Sequence, residues 1–363
     1  MKFSFKNKKI SGILTVIPKN EVSFDDYADK FQSTPKQMKR LKEVMGFDKR
    51  RISEKGTNFS DMAVFGVEKI LSAGYIKKEE IGALILATQS PDYFLPPTTN
   101  VIQGRLNLSS DVYCLDINNG CAGYIVGLVQ AFQLLEHMPD KKVLLFNGEV
   151  SDRRRSNLNN TSKANRSALL WGDAVAISVV ENDFNENSAQ IFSEIIMDGT
   201  RWHYIRCPEK SLKEISSVVN SDDISLLVKE IIRKKYGKSF MNGGEVFKFT
   251  EVDVPPVIER VLKDSGKTKS DIDWFLFHQP NKFLVETVAE GLGVPLEKAP
   301  SNVVSKFGNS ASATIPLNIA LNLTPDILQE TFNVCMSGFG TGLTVGAMTM
   351  QLGPLNFCEF AEY

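Results

Sequence analysis

Residues 67–91, VEKILSAGYIKKEEIGALILATQSP, and residues 258–281, IERVLKDSGKTKSDIDWFLFHQPN, follow one plan. Each reads as an amphipathic helix, a glycine-bearing turn, a charged linker, and then an apolar run of strand length. Val67 pairs with Ile258, Leu71 with Leu262 and Ile81 with Ile272, at a constant offset of 191 residues. Helix–turn–strand units look alike in many proteins, so the pairing gains weight from its constant offset. It predicts a chain built of two similar α/β halves, with a site where the halves meet.

Further apolar runs predict strands at 83–88, 112–117, 143–147, 174–180, 274–277 and 343–352, and helical spacing predicts helices at 62–73, 122–135 and 256–264. Strands alternating with helices give an α/β fold whose sheets are covered on both faces. The halves divide as 1–183 and 184–363. A polar, charge-rich stretch at 184–244 is expected to be a variable insertion or helical cap, and no Pro/Gly/Ser linker separates the halves.

The 363 residues are 42% hydrophobic and 23% charged, which is globular composition and argues against disorder. A formal net charge of −1 argues against a nucleic-acid partner. No apolar run reaches the ~18 residues of a membrane span, and the N-terminus lacks the pattern of a secretory signal. The five cysteines form no CxxC pair, so neither a zinc ribbon nor a redox pair is expected, and reduced thiols in a cytoplasmic enzyme are.

Chemistry concentrates at four places. Cys121 lies in NNGCAG, between a strand and an amphipathic helix. Amide groups and the macrodipole of a helix N-terminus favour a thiolate, and the small neighbours admit a substrate. Position alone is equally compatible with a core thiol. His278 closes the strand WFLF and, with Asn281, falls at the C-terminal edge where α/β sites form. A satisfied strand-end histidine fits as well. Asn309 sits among small residues in KFGNSASA, the pattern of a tight turn. SGFGTG at 337–342 reads as a glycine loop, without the lysine of a phosphate-binding loop. Together they suggest a nucleophile with nitrogen partners, suited to thioester exchange and carbanion attack.

The strings GFDKRRI from Gly46, ATQSPDY from Ala87, DINNGCAGY from Asp116, WGDAVA from Trp171, MNGGEVFKF from Met241, DWFLFHQPN from Asp273, FGNSASATIP from Phe307 and GFGTGLTVGA from Gly338 span nearly the whole chain. In this order they resemble the β-ketoacyl-acyl-carrier-protein synthase III family of the thiolase superfamily. The resemblance implies a duplicated thiolase-like fold of five layers, α-β-α-β-α. It implies a Cys121–His278–Asn309 triad in which Cys121 is acylated by a thioester. Malonyl-acyl-carrier-protein then loses carbon dioxide, and its enolate attacks the acyl-enzyme.

The same resemblance places Gly340, Thr341 and Gly342 in the loop whose amides hold the thioester oxygen. Leu95 would reach the partner's acyl pocket in a homodimer. Asn281, Arg166 and Lys306 are substrate-binding candidates, with Arg154 and Arg155 as further phosphate contacts. No metal or resident cofactor is implied, because coenzyme A or phosphopantetheine arrives as part of the substrates.

Three departures concern the donor. The usual His-Gln-Ala-Asn is His-Gln-Pro-Asn here, no tryptophan lies in 35–41, and Phe283 stands where housekeeping members carry a basic residue. Acyl-carrier protein is therefore expected to compete with acyl-coenzyme A as donor. The pathway is fatty acid or related secondary-metabolite synthesis. Among relatives, the hydroxymethylglutaryl-coenzyme A synthases need a Glu that 81–135 lacks, and ketosynthases I/II need a second His where Asn309 stands. A thiolase would need a second Cys where Met336 stands, which leaves Cys335 as core. A papain-like protease also uses Cys, His and Asn, but its local Cys signature is absent here, as is a secretory signal. A non-condensing acyltransferase acting on a hydroxyl or amine remains an alternative, as does a non-catalytic scaffold.

Overall fold

The computed structural model describes residues 1–26, 34–150, 170–186, 188–207 and 240–363. Among the described residues the strands are β1 (Lys2–Phe5), β2 (Lys8–Ile17), β3 (Glu21–Ser23), β4 (Lys49–Arg51), β5 (Ile81–Ala87), β6 (Tyr113–Ile117), β7 (Lys142–Glu149), β8 (Ala174–Asn182), β9 (Ile191–Met197), β10 (Ile205–Arg206), β11 (Phe240–Met241), β12 (Trp274–Phe277), β13 (Phe332–Gly340), β14 (Thr344–Leu352) and β15 (Phe357–Glu362). The α-helices are α1 (Pro35–Met45), α2 (Phe59–Ser72), α3 (Thr98–Arg105), α4 (Gly123–Leu135), α5 (Gly243–Val252), α6 (Val254–Asp264), α7 (Lys282–Leu292), α8 (Val303–Phe307) and α9 (Thr314–Asn322).

Two large sheets form, ordered β15-β2-β8-β7-β5-β6 and β1-β9-β14-β13-β12. In both, a parallel pair near one end (β5 with β7, β12 with β13) continues into antiparallel neighbours. Period-2 side-chain alternation divides each strand between two cores. Ala83 and Ile85 face the layer between the sheets, while Leu84 and Leu86 face α2 and α3. In the second sheet Leu276 faces the middle layer, and Phe275 and Phe277 face α6 and α7. The middle layer is α4 and α9, with Ile125, Phe132, Ile315 and Ile319 packed between the sheets. Helices, sheet, helices, sheet, helices are the five expected layers. Burial on both faces explains why the strands read as continuous apolar runs.

The repeat is visible down to single bonds. A 3-10 turn at Lys78–Glu80 precedes β5, and one at Lys269–Asp271 precedes β12. In the first, Lys77 N donates to Glu80 Oε2 at 2.6 Å. In the second, Thr268 N donates to Asp271 Oδ2 at 2.7 Å. The carboxylate caps the turn in both halves, which is why the linker is acidic in both.

Two expectations need correction. The stretch from 184 is not wholly an insertion, because Ile191–Met197 pairs with both β14 and β1 inside the second sheet. Its polar flanks hid the strand; 208–239 lie outside the described residues. Nor do the sheets follow the division at 183/184 strictly. β1 joins the sheet of the second half and β15 that of the first.

Candidate active site

The two halves meet at the end of β6 and the start of α4. After Ile117 the chain turns, Gly123 N donates to Gly120 O at 2.8 Å, and the helix begins. Cys121 lies two positions before its first residue, Gly123. The N-cap residue is Ala122, which has no side-chain acceptor to cap this terminus. The amides of the first turn, and the positive end of the helix, are thus left beside the Cys121 backbone. Cys121 is partly exposed, whereas Cys335 and Cys358 are buried. Burial pushes the Cys335 thiol up to about 12 and the Cys358 thiol up to about 11. Burial also raises Cys114, helped by the negative charge of Asp116.

The second half presents β13 to this turn, and here a further expectation is corrected. Residues 337–340 are strand, not loop; the turn begins at Thr341. The glycines serve close approach. A Cβ on Gly340 would lie 2.7 Å from Cys121 Cβ and 2.9 Å from its Sγ. One on Gly338 would lie 2.8 Å from the Cys121 carbonyl oxygen. Only a bare backbone fits against the cysteine. From the other side the Gln89 carboxamide covers Gly120 and donates to Thr341 Oγ1 at 3.4 Å.

Asn309 is delivered by a bridge between the halves. It pairs in parallel with Trp171: Asn309 N donates to Leu170 O at 2.7 Å, and Gly172 N to Asn309 O at 3.1 Å. Ser312 extends the junction, its hydroxyl donating to Ala87 O at 3.0 Å and accepting from Gly148 N at 3.1 Å. Asn309 Oδ1 accepts from Ala311 N at 2.8 Å, which leaves Nδ2 as the donor end of its amide. Ala311 has φ 52°, a left-handed conformation unusual for a residue with a side chain.

His278 leaves β12 with its amide donating to Ser337 O at 2.8 Å. Its ring lies edge-on to Phe339, centroids 5.8 Å apart, and Nδ1 is 2.7 Å from Thr314 Oγ1. Nε2 is buried and bonds to none of the described residues. Burial drives the imidazole down to about 3, opposed by the Ala311 carbonyl, so the ring is neutral at physiological pH.

The other candidates stand apart. Asn281 Oδ1 accepts from Leu284 N at 2.9 Å as the N-cap of α7. Lys306 is exposed on α8. Leu95 is 84% exposed in a loop anchored by Asp92, whose carboxylate accepts from Ser60 N and whose amide donates to Thr98 Oγ1. Arg154, Arg155 and Arg166 lie outside the described residues. A cavity of about 220 Å³ opens beside α6, lined by Asp198, Arg201, Phe249 and Arg260, and no triad residue lines it. Among the described residues no three His, Cys, Asp or Glu side chains group as metal ligands. Sequence reasoning passed over Gln89, Ala311, Ser312 and Thr314, although three of them stand in the quoted string FGNSASATIP.

Two sandwiched sheets of matching topology, with the conspicuous cysteine, histidine and asparagine segments at their junction, define a duplicated thiolase-like protein. Residues 115–199 match the family described as 3-oxoacyl-[acyl-carrier-protein (ACP)] synthase III, and residues 262–352 match its C-terminal part. The β-ketoacyl-[acyl-carrier-protein] synthase III of Clostridium tetani is 31% identical over 86% of this chain and 89% of its own length. That of Synechocystis is 30% identical over 84% and 87%. The crystal structure of 3-oxoacyl-(acyl-carrier protein) synthase from Burkholderia xenovorans superimposes with a TM-score of 0.85 at 29% identity, covering 100% of this chain and 99% of that one. The chain belongs to the 3-oxoacyl-[acyl-carrier-protein] synthase III family of condensing enzymes.

Proposed function

We propose that this chain condenses an acyl thioester with malonyl-acyl-carrier-protein, releasing carbon dioxide and a 3-oxoacyl-acyl-carrier-protein, in fatty acid or related secondary-metabolite synthesis. The observation that carries the reading is the junction itself. A partly exposed thiol at an uncapped helix N-terminus meets a bare strand end, and His278 and Asn309 are held together through Ala311.

In the first half-reaction Cys121 Sγ attacks the donor carbonyl and the donor thiol leaves. In the second, the malonyl thioester loses carbon dioxide and its carbanion attacks the acyl-enzyme carbonyl. Collapse of that adduct expels the Cys121 thiolate. His278 Nε2 and Asn309 Nδ2 donate to the thioester oxygen where enolate charge develops, a role suited to a buried, neutral histidine. Amides of residues 340–342 hold the acyl oxygen beside Cys121. Both coenzyme A and carrier-protein donors serve, since the absence of a tryptophan from 35–41 removes one aromatic stacking contact to the adenine of coenzyme A, worth only about 1 kcal/mol.

The edge of β6, which pairs with no further strand among the described residues, and the exposed Tyr93, Phe94 and Leu95 support a homodimer. Free thiols throughout support a cytoplasmic location. Mass spectrometry of Cys121 after incubation with matched acyl-coenzyme A and acyl-carrier-protein panels tests the first step, and carbon dioxide release from malonyl-acyl-carrier-protein tests the second. Acylation without carbon dioxide release would favour the non-condensing transferase; no acylation at all would refute both.

A further inference from the structure

Thr314, the first residue of α9, meets the Nδ1 side of the His278 ring. Its Oγ1 lies 2.7 Å from His278 Nδ1, accepts from Gln279 N at 3.1 Å, and lies 2.8 Å from the Ala311 carbonyl oxygen. All four residues are buried. A hydroxyl has one proton, and this one has two acceptors within reach.

If the proton points at Ala311 O, the oxygen accepts from Nδ1–H and Nε2 carries a lone pair. If it points at Nδ1, the ring proton resides on Nε2. Because burial keeps the imidazole neutral, the ring holds one proton and the alternatives exclude each other. The first arrangement satisfies Gln279, His278 and Ala311 together. The second leaves the Ala311 carbonyl facing a hydroxyl oxygen at 2.8 Å with no proton between them.

We propose that Thr314 is a positioning residue that sets the tautomer of His278, which rests with its proton on Nδ1 and a bare Nε2. The functional meaning rests on the condensing-enzyme reading; the hydrogen bonds do not. Acylation needs an acceptor for the Cys121 thiol proton. Nε2 takes it, the ring being an imidazolium only while the tetrahedral adduct beside it carries a negative oxygen, and returns it to the departing donor thiolate, so the ring ends neutral as it began. Condensation needs a donor at Nε2. Turning the Thr314 hydroxyl from Ala311 O to Nδ1 stabilises that form. The interconversion adds one proton at Nε2 and removes one from Nδ1, with water as the exchange partner, and leaves the ring's charge unchanged. One rotatable hydroxyl thus lets a single nitrogen serve both half-reactions.

The test is nitrogen NMR of the full chain labelled with 15N-histidine, the His278 signals being assigned with His137→Gln and His203→Gln variants. The free wild-type protein should show Nδ1 protonated and Nε2 unprotonated from pH 6 to 9. A stable malonyl-pantetheine analogue should move the proton to Nε2 in wild type and Thr314→Ser. In Thr314→Val it should not, because the Ala311 carbonyl is then the polar neighbour left to hold Nδ1–H. Thr314→Val should lose carbon dioxide release at least tenfold more than Cys121 acylation, and Thr314→Ser should restore the ratio. A protonated Nε2 in the free wild type, an unaltered response in Thr314→Val, or equal loss in both half-reactions would overturn the proposal. If Thr314→Val does not fold, Thr314→Ala takes its place, and there too the analogue should fail to move the proton to Nε2. The expected shifts in a protein whose Cys121 is never acylated would refute the condensing reading and leave the Thr314 assignment standing.

Discussion

Cys121 differs in physical setting from three of the chain's other cysteines; the remaining one, Cys207, is exposed at the surface. Cys335 and Cys358 are sealed in the core with thiols raised to about 12 and 11, and Cys114 is raised by burial and by Asp116. Iodoacetamide at pH 7.5 should label Cys121 at least tenfold faster than any of these three, read by peptide mass spectrometry. Cys121→Ala should lower acyl transfer by 10³-fold or more with an unchanged melting temperature. His278 gives a pH signature. Its imidazole sits at about 3 in the fold against an ordinary 6.5, so between those values the unfolded chain binds the extra proton. The penalty is absent above about pH 6.5, grows as pH falls, and is complete below about 3. Denaturant titrations should show the wild type losing about 2 kcal/mol more than His278→Gln between pH 7 and pH 5. At this scale Cys121, His278 and Asn309 were legible because each is marked by its own neighbours. Thr314 was not, because the ring it orients is 36 residues away in sequence. A threonine entering a helix carries no local sign of a distant partner.

The elements that shape the site are those brought into backbone contact. Gly172 lies beside the segment that carries Asn309, and a Cβ there would fall 1.8 Å from Phe307 O. That oxygen belongs to backbone and cannot step aside. Gly172→Ala should cost about 3 kcal/mol in denaturant unfolding and weaken decarboxylation with it. At Gly340 the obstacle would be Cys121 Cβ at 2.7 Å as well as its Sγ at 2.9 Å, and the Cβ moves only with the backbone. Gly340→Ala should therefore cost about 1–3 kcal/mol in denaturant unfolding and slow Cys121 acylation roughly 100-fold, measured by intact-protein mass spectrometry. The strands at 274–277 and 344–352 were readable because both their faces are buried. The 337–342 segment was misread because glycine runs signal turns. Here an extended strand uses glycine to let two halves touch, a need visible only once both halves are placed.

For the whole molecule, the constant offset of 191 residues predicted two matching halves, and matching 3-10 turns and parallel strand pairs bear it out. The exchange of β1 and β15 left no such mark, since an edge strand's sequence does not say which sheet it joins. The homodimer is expected to pair through β6 and bury Leu95. Light scattering at micromolar concentration should give twice the chain mass, and Leu95→Asp should shift the population toward monomer without unfolding it.

That exchange also bears on the order of events during synthesis. The sheet holding the cysteine turn takes its edge strand from residues 357–362, while the sheet holding His278 takes one from residues 2–5. A chain still being translated can fold neither sheet to completion on its own. β1 must wait some 190 residues for β9, and β2 is uncovered along one edge until residues 357–362 emerge. The thiol thus comes to stand against β13 only after residues 332–340 have followed it off the ribosome, long after its own strand and helix are made.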